Sequence, residues 1–205
     1  MKPKTKKAIK QSLFIGVMLC AVFVAVSLLS ATKTDQTFQV SHTSISDEVI
    51  GYELLVEKYA KKYNVTAHTD VLLAMMMQES GGRGNDPMQS SESYCGERGC
   101  INDPEHSIRQ GVYYFSETLD AAGGDLELAI QSYNFGKGFI DYVKEQSGSY
   151  SQEVAIDFSQ KMYQNASNQS DYRCLREEAK QYNACYGDIY YVRDVMEYRN
   201  VLAME

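Results

Sequence analysis

The chain has 205 residues, 44% hydrophobic and 23% charged, a balance that fits one globular domain with an appendage and excludes disorder and collagen-like repeats. Its net charge of −7 is unevenly spread, because Lys2, Lys4, Lys6, Lys7 and Lys10 stand in the first ten residues without an acid and leave −12 over residues 11–205. A body that acidic is repelled by phosphate backbones, so nucleic acid is not an expected partner, and any contact with anionic polymers needs a shaped groove.

Residues 1–10 read as a basic cytoplasmic segment. The apolar run over residues 13–29 is broken only by Gly16, Cys20 and Ser27, and with its edges it reaches the ~20 residues that cross a bilayer. Residues 11–31 therefore read as a transmembrane signal anchor, single-pass, with the lysines cytoplasmic and the C-terminal part outside the cell membrane. A cleaved signal peptide is the competing reading, although Leu29 stands where cleavage wants a small residue. Leu19 before Cys20 likewise speaks against lipidation. Residues 32–46 (TKTDQTFQVSHTSIS) are polar and aperiodic, as a linker is.

Helical periodicity begins at residue 47. Val49, Tyr52, Val56, Tyr59 and Tyr63 predict one amphipathic helix with Ser46 or Asp47 as N-cap. Residues 71–79 predict a buried, nearly apolar helix stopped by Gly81 and Gly82. Residues 83–105 form a long irregular stretch, and a loop of that length in a compact domain usually has a functional purpose. Ile108, Val112, Phe115 and Leu119 predict a third helix, stopped by Gly123 and Gly124. Leu126, Ile130 and Tyr133 predict a fourth, which Ile140 and Val143 either continue or follow with another. Val154, Phe158 and Met162 mark a fifth, and Ile189, Val192 and Met196 a last one. With no long alternating strand, residues 47–205 are expected to be one mainly α-helical domain.

Four cysteines remain once Cys20 is set aside: Cys95, Cys100, Cys174 and Cys185, an even number suited to disulfides in an oxidising compartment. Of three pairings, Cys95 with Cys100 and Cys174 with Cys185 are favoured, because each closes a short polar stretch. His42, His68 and His106 are scattered without metal-ligand spacing, so no metal is expected.

Glu79 ends the apolar helix beside the long loop. Desolvation and the negative end of the helix dipole both favour its protonated form, from which a general acid protonates a glycosidic oxygen. The plainer reading is a surface Glu in a fraying last turn.

The residues around it carry more. Gln78-Glu79-Ser80-Gly81-Gly82, then Asp86-Pro87-Met88-Gln89, then Ile108 and Gly111, then Ala129-Ile130-Gln131-Ser132-Tyr133-Asn134-Phe135-Gly136 occur in this order. As a set they resemble the soluble lytic transglycosylase and goose-type lysozyme superfamily over about residues 49–145. The QESGG and GNDPMQ forms are similar to the bacterial lysozyme-like branch found at the surface of Gram-positive bacteria. The resemblance implies a mainly α, lysozyme-like fold with a long active-site loop. It also implies cleavage of the β-1,4 bond between N-acetylmuramic acid and N-acetylglucosamine in peptidoglycan, without a cofactor. Glu79 matches the catalytic acid, Met88 and Gln89 the cleft loop, and Tyr133 and Asn134 the sugar contacts; Ser90 is a further candidate for binding substrate.

The chain departs from the pattern at Asn85-Asp86-Pro87, where most of the superfamily has Gly-Leu. Asp86 is thus a second carboxylate, seven residues after Glu79. A muramidase that hydrolyses gains from such a group, which orients water or stabilises the oxocarbenium-like centre. Asp86 is therefore the second catalytic candidate, with a turn-starting Asp as its other reading; Glu92, Glu97 and Asp103 are the rival acids. Anhydro-forming lytic cleavage and a non-catalytic wall-binding module are the alternatives. The tyrosine-rich residues 172–199 read as packing, and a monomer is expected.

Overall fold

The structure is a computed structural model that describes residues 44–146 and 148–204. The expected anchor at 11–31 and nearly all of the linker lie outside the described residues, among which no helix is long and apolar enough to cross a membrane. All regular structure in the described part is helical.

The first expected helix is divided into α1 (Asp47–Gly51) and α2 (Glu53–Lys62), with Tyr52 at φ −95° and ψ 0° between them. Gly51 precedes the break, and glycine weakens a helix interior by about 1 kcal/mol relative to alanine. Ser46 is the N-cap, accepting the Val49 N–H at 3.2 Å. After a 3₁₀ turn (Thr66–His68), α3 (Thr69–Glu79) buries Val71, Leu72, Leu73, Ala74, Met75 and Met76 together, as a helix enclosed on most sides does. The long loop holds one short helix that periodicity did not reveal, α4 (Ser91–Cys95), closed by Gly96 at φ 80°.

The Asp103 carboxylate caps α5 (Pro104–Ala121), accepting the His106 N–H at 2.7 Å. Asp125 does the same for α6 (Leu126–Phe135) through the Leu128 N–H at 3.0 Å. Ile140 and Val143 belong to a separate helix, α7 (Gly138–Gln146), followed by α8 (Gln152–Asn165) with Ser151 as cap. A 3₁₀ turn (Gln169–Asp171), α9 (Glu177–Lys180) and α10 (Tyr191–Leu202) complete the order.

Two apolar clusters share α6. One surrounds α3 with residues from α2, α5, α6 and α10. The other gathers Phe135, Phe139 and Phe158, with the Phe139 and Phe158 rings 5.0 Å apart. Helix α6 gives Ala129, Ile130 and Tyr133 to the first and Leu128 and Phe135 to the second. Its C-terminal end is thereby held from both sides. Both disulfides are the local ones, Cys95–Cys100 and Cys174–Cys185.

Candidate active site

Helix α3 carries Glu79 to its last turn, and the chain then reverses through Gly81 (φ 64°) and Gly82 (φ 76°). A Cβ on Gly82 would stand 2.9 Å from the Glu48 Cβ and 2.9 Å from the Val49 nitrogen, so only glycine lets the turn close on α1. The Ser46 hydroxyl donates to the Gly81 carbonyl at 2.8 Å, and the Ser80 hydroxyl to the Pro87 carbonyl at 2.7 Å. These bonds fold the loop back over the end of α3.

Asp86 organises that loop. Its Oδ1 accepts from the Ser107 hydroxyl (2.6 Å) and the Ser90 N–H (2.9 Å). Its Oδ2 accepts from the Ser91 hydroxyl (2.6 Å) and N–H (3.1 Å). Burial pushes its pKa up, but the hydroxyls of Ser107 and Ser91 and the N–H groups of Ser90 and Ser91 outweigh that and hold the carboxyl below its ordinary value. It is an anion at neutral pH.

The next residues are fixed as tightly. Met88 is fully buried, its N–H donating to the Ser107 Oγ at 3.0 Å and its carbonyl accepting from the Tyr133 hydroxyl at 2.8 Å. A Cβ on Gly111 would lie 2.7 Å from the Met88 Cβ and 2.9 Å from the Tyr133 hydroxyl, which explains a glycine in mid-helix. Gln89, at φ 46°, holds the left-handed conformation uncommon for non-glycine residues. It faces solvent, and its side-chain amide donates to the Asp86 carbonyl at 2.9 Å. The Ser90 hydroxyl is spent on the Ser107 carbonyl at 2.9 Å.

Glu79, Asp86, Gln89, Tyr133 and Asn134 line one cavity of about 340 Å³. An adjoining compartment of about 220 Å³ shares Gln89, Glu92, Tyr133 and Asn134 and adds Ser90, Tyr114 and Tyr186. The two form one groove. Met88 lies beneath it. Of the rival acids, Asp103 is committed to capping α5, and Glu92 lines both compartments while paired to the Arg98 Nε at 2.8 Å. Glu97 is exposed on the disulfide-closed loop.

Burial raises the Glu79 pKa from 4.5 to about 7; the Tyr191 hydroxyl pulls the other way, and the negative charges of Asp86, Asp188 and Glu92 push further up. The Tyr191 hydroxyl donates to the Glu79 Oε1 at 2.6 Å. Burial, first of several causes, pushes the Tyr191 phenol well above its ordinary value, so it stays a neutral donor. A donor to the carboxylate favours ionisation. Tyr191→Phe should therefore raise the Glu79 pKa by about one pH unit, the equivalent of one hydrogen bond of about 1.4 kcal/mol. Carbon-13 NMR titration of the carboxyl measures this directly, and an unmoved midpoint would remove Tyr191 from its control.

The wall opposite the loop comes from the segment read as mere packing. The Asn134 Oδ1 accepts the Asp188 N–H at 2.8 Å. A Cβ on Gly187 would reach within 2.7 Å of that oxygen and 2.6 Å of the Phe135 ring. Arg176 grips the Asp188 carboxylate at 2.8 and 2.6 Å and bridges to Asp194, while the Gln131 amide donates to the Asp188 carbonyl at 2.9 Å. Six tyrosines around two cysteines, four before the last helix and two within it, were the one sequence signal for this wall.

A family model described as lysozyme-like matches residues 46–199. The chain is 47% identical over 115 residues to the bifunctional muramidase/DL-endopeptidase CwlT of Bacillus subtilis, a match covering 56% of this chain and 35% of that protein. It is 36% identical over 204 residues to the membrane protein YocA of the same species, covering 96% and 90%. It is 34% identical over 115 residues to pneumococcal vaccine antigen A of Streptococcus pneumoniae, covering 55% and 56%. A solved structure described as similar to lipoprotein, of the NLP/P60 family of Staphylococcus aureus, superposes with a TM-score of 0.67 at 36% identity, covering 76% of this chain and 54% of that one. The chain thus spans about a third of CwlT and just over half of the antigen.

Proposed function

The chain belongs to the lysozyme-like family, and from that premise we propose that it is a peptidoglycan muramidase cleaving the β-1,4 bond between N-acetylmuramic acid and N-acetylglucosamine. The observation that carries the proposal is Glu79, a carboxyl with a pKa of about 7 opening on a groove. Such a group still holds its proton at neutral pH and can pass it to the leaving glycosidic oxygen. The match to a protein named a muramidase supports the same chemistry.

As the bond breaks, positive charge develops at the anomeric centre. Asp86 supplies a fixed negative charge in the same cavity. Water then adds, and the Glu79 carboxylate takes up its proton. The Tyr133 ring gives an apolar face for a sugar, the amides of Asn134 and Gln89 suit N-acetyl groups, and Met88 and Ser90 hold the floor beneath them.

A second reading has its own support. Four donors occupy the Asp86 oxygens, so that carboxylate is poorly placed to draw a proton from water. Were Glu79 alone to act, first as acid and then as base, the C6 hydroxyl of the muramic acid would close on the anomeric carbon and give a 1,6-anhydro end. Mass spectrometry of digested cell walls separates the outcomes. Hydrolysis predicts ordinary reducing muramic acid; products lighter by one water would make the protein a lytic transglycosylase, and no products a binding module.

Retention in the membrane by residues 11–31, with the domain outside, completes the proposal. The apolar run supports it, as does a relative matched over 90% of its length and named a membrane protein. The chain recovered from membranes should have its full mass, and a soluble chain beginning near Thr32 would refute the anchor.

A further inference from the structure

The polar groups of Asp188 are all engaged. Its N–H donates to the Asn134 Oδ1 at 2.8 Å and its carbonyl accepts from the Gln131 Nε2 at 2.9 Å. Its carboxylate accepts from the Arg176 guanidinium at 2.8 and 2.6 Å and from the Tyr190 N–H at 3.0 Å. Arg176 stands at the head of α9 and also reaches Asp194 in the first turn of α10. One side chain thus ties three segments together.

Stability alone does not account for these contacts. The Asp188 side chain is 7% exposed and that of Arg176 24%, and an enclosed ion pair gains little over apolar packing once desolvation is counted. Gln131 is fully buried, and its Oε1 has no hydrogen-bond partner among the described residues, a cost that an apolar side chain would avoid. What both residues supply is a fixed place for the Asp188 backbone. Gly187 lets that turn press so closely on Asn134 that a Cβ would stand 2.7 Å from its Oδ1.

Asn134 lines both compartments of the groove. With its oxygen committed to the Asp188 N–H, the amide offers the groove its N–H donors, because a flipped amide would set donor against donor. Freed from that bond, it would sample both orientations.

We propose that Arg176 and Gln131 are positioning residues of the groove, holding the Asp188 N–H where it fixes the Asn134 amide with its donors toward an acceptor oxygen of the substrate. That acceptor belongs to a glycan on the muramidase reading, on which the proposal rests. Lysine cannot replace Arg176, since a single ammonium lacks the planar fork that grips both Asp188 oxygens while reaching Asp194. Methionine at position 131 keeps the unbranched shape of the side chain and removes the donor to Asp188.

Calorimetry on the full-length Glu79→Gln protein, as a parent that binds without turnover, tests this. The probe is a tetrasaccharide of alternating N-acetylglucosamine and N-acetylmuramic acid. Arg176→Lys should weaken binding about tenfold and Gln131→Met about threefold. Asn134→Ala should weaken it about tenfold by itself, and neither substitution should add to that loss, because the group they orient is gone. A general loosening of the fold would add to it. Gln131→Met decides the matter should Arg176→Lys not fold. Unchanged affinity in the folded variants, or losses that add to that of Asn134→Ala, would overturn the positioning role alone. A parent that does not bind the probe would overturn the glycan reading and the positioning role together.

Discussion

Glu79→Gln is expected to lower glycan cleavage by about 10³-fold, the range that a positioned general acid contributes, while leaving a folded protein. The amide matches the carboxyl in shape and can still accept from the Tyr191 hydroxyl that now meets Oε1 at 2.6 Å, but it has no proton to give at the strength required. Stability should change in a pH-dependent way that marks the same burial. The wild-type carboxyl binds its proton more tightly folded, at about 7, than unfolded, at 4.5. That contribution to stability is fully present below about pH 4.5 and is lost as pH rises through 7, up to about 3 kcal/mol. The variant lacks the titration. Its melting temperature relative to wild type should therefore be higher at pH 8 than at pH 4, by several degrees in calorimetry. A difference that stays constant with pH would mean that Glu79 is not desolvated, and release of muropeptides by the variant at the wild-type rate would remove it from the mechanism.

Asp86→Asn should reduce turnover by about 100-fold, equivalent to about 2.7 kcal/mol of transition-state stabilisation, and lower stability by about 2–4 kcal/mol. The amide turns an acceptor into a donor amid four donors, so at least one pair of hydrogens must face each other. Ser107→Ala separates the charge from the scaffold, because it keeps the anion and removes the 2.6 Å bond that ties the loop to α5. If the charge assists the reaction, Ser107→Ala should keep most of its activity. If the loop geometry is what matters, it should lose activity nearly as Asp86→Asn does. Kinetics and melting curves on the same three proteins decide between them.

What the sequence reveals is whatever local chemistry encodes. The apolar run of α3, the glycines after it and the caps at Ser46, Asp103, Asp125 and Ser151 are each set by neighbours a few residues away. Helix α4 is a single turn of polar residues, too short to show a period. The order of motifs located Glu79 and Asn134 on one groove, but not which side chains reach it. Met88 is in the right loop and points inward. Of the tyrosines of the last segment, Tyr172 and Tyr182 are exposed, while Tyr191 is buried with its hydroxyl on Glu79, 112 residues away. No pattern within either segment records such a pairing. Asp86 had two readings because an Asp before Pro suits a turn as well as a reaction, and its hydrogen bonds were visible only once Ser107 had been placed beside it.

The separation between Tyr191 and Glu79 also orders events in time. A chain synthesised from its amino-terminal end delivers α3 early, whereas the phenol that meets the acid, and the Asp188 backbone that holds Asn134, arrive with the final residues. Until then Glu79 lies open to water, where a carboxyl returns to its ordinary pKa of 4.5 and gives up its proton at neutral pH. The incomplete chain accordingly has no protonated acid to offer at neutral pH, and gains one only when the carboxyl-terminal helix closes over Glu79.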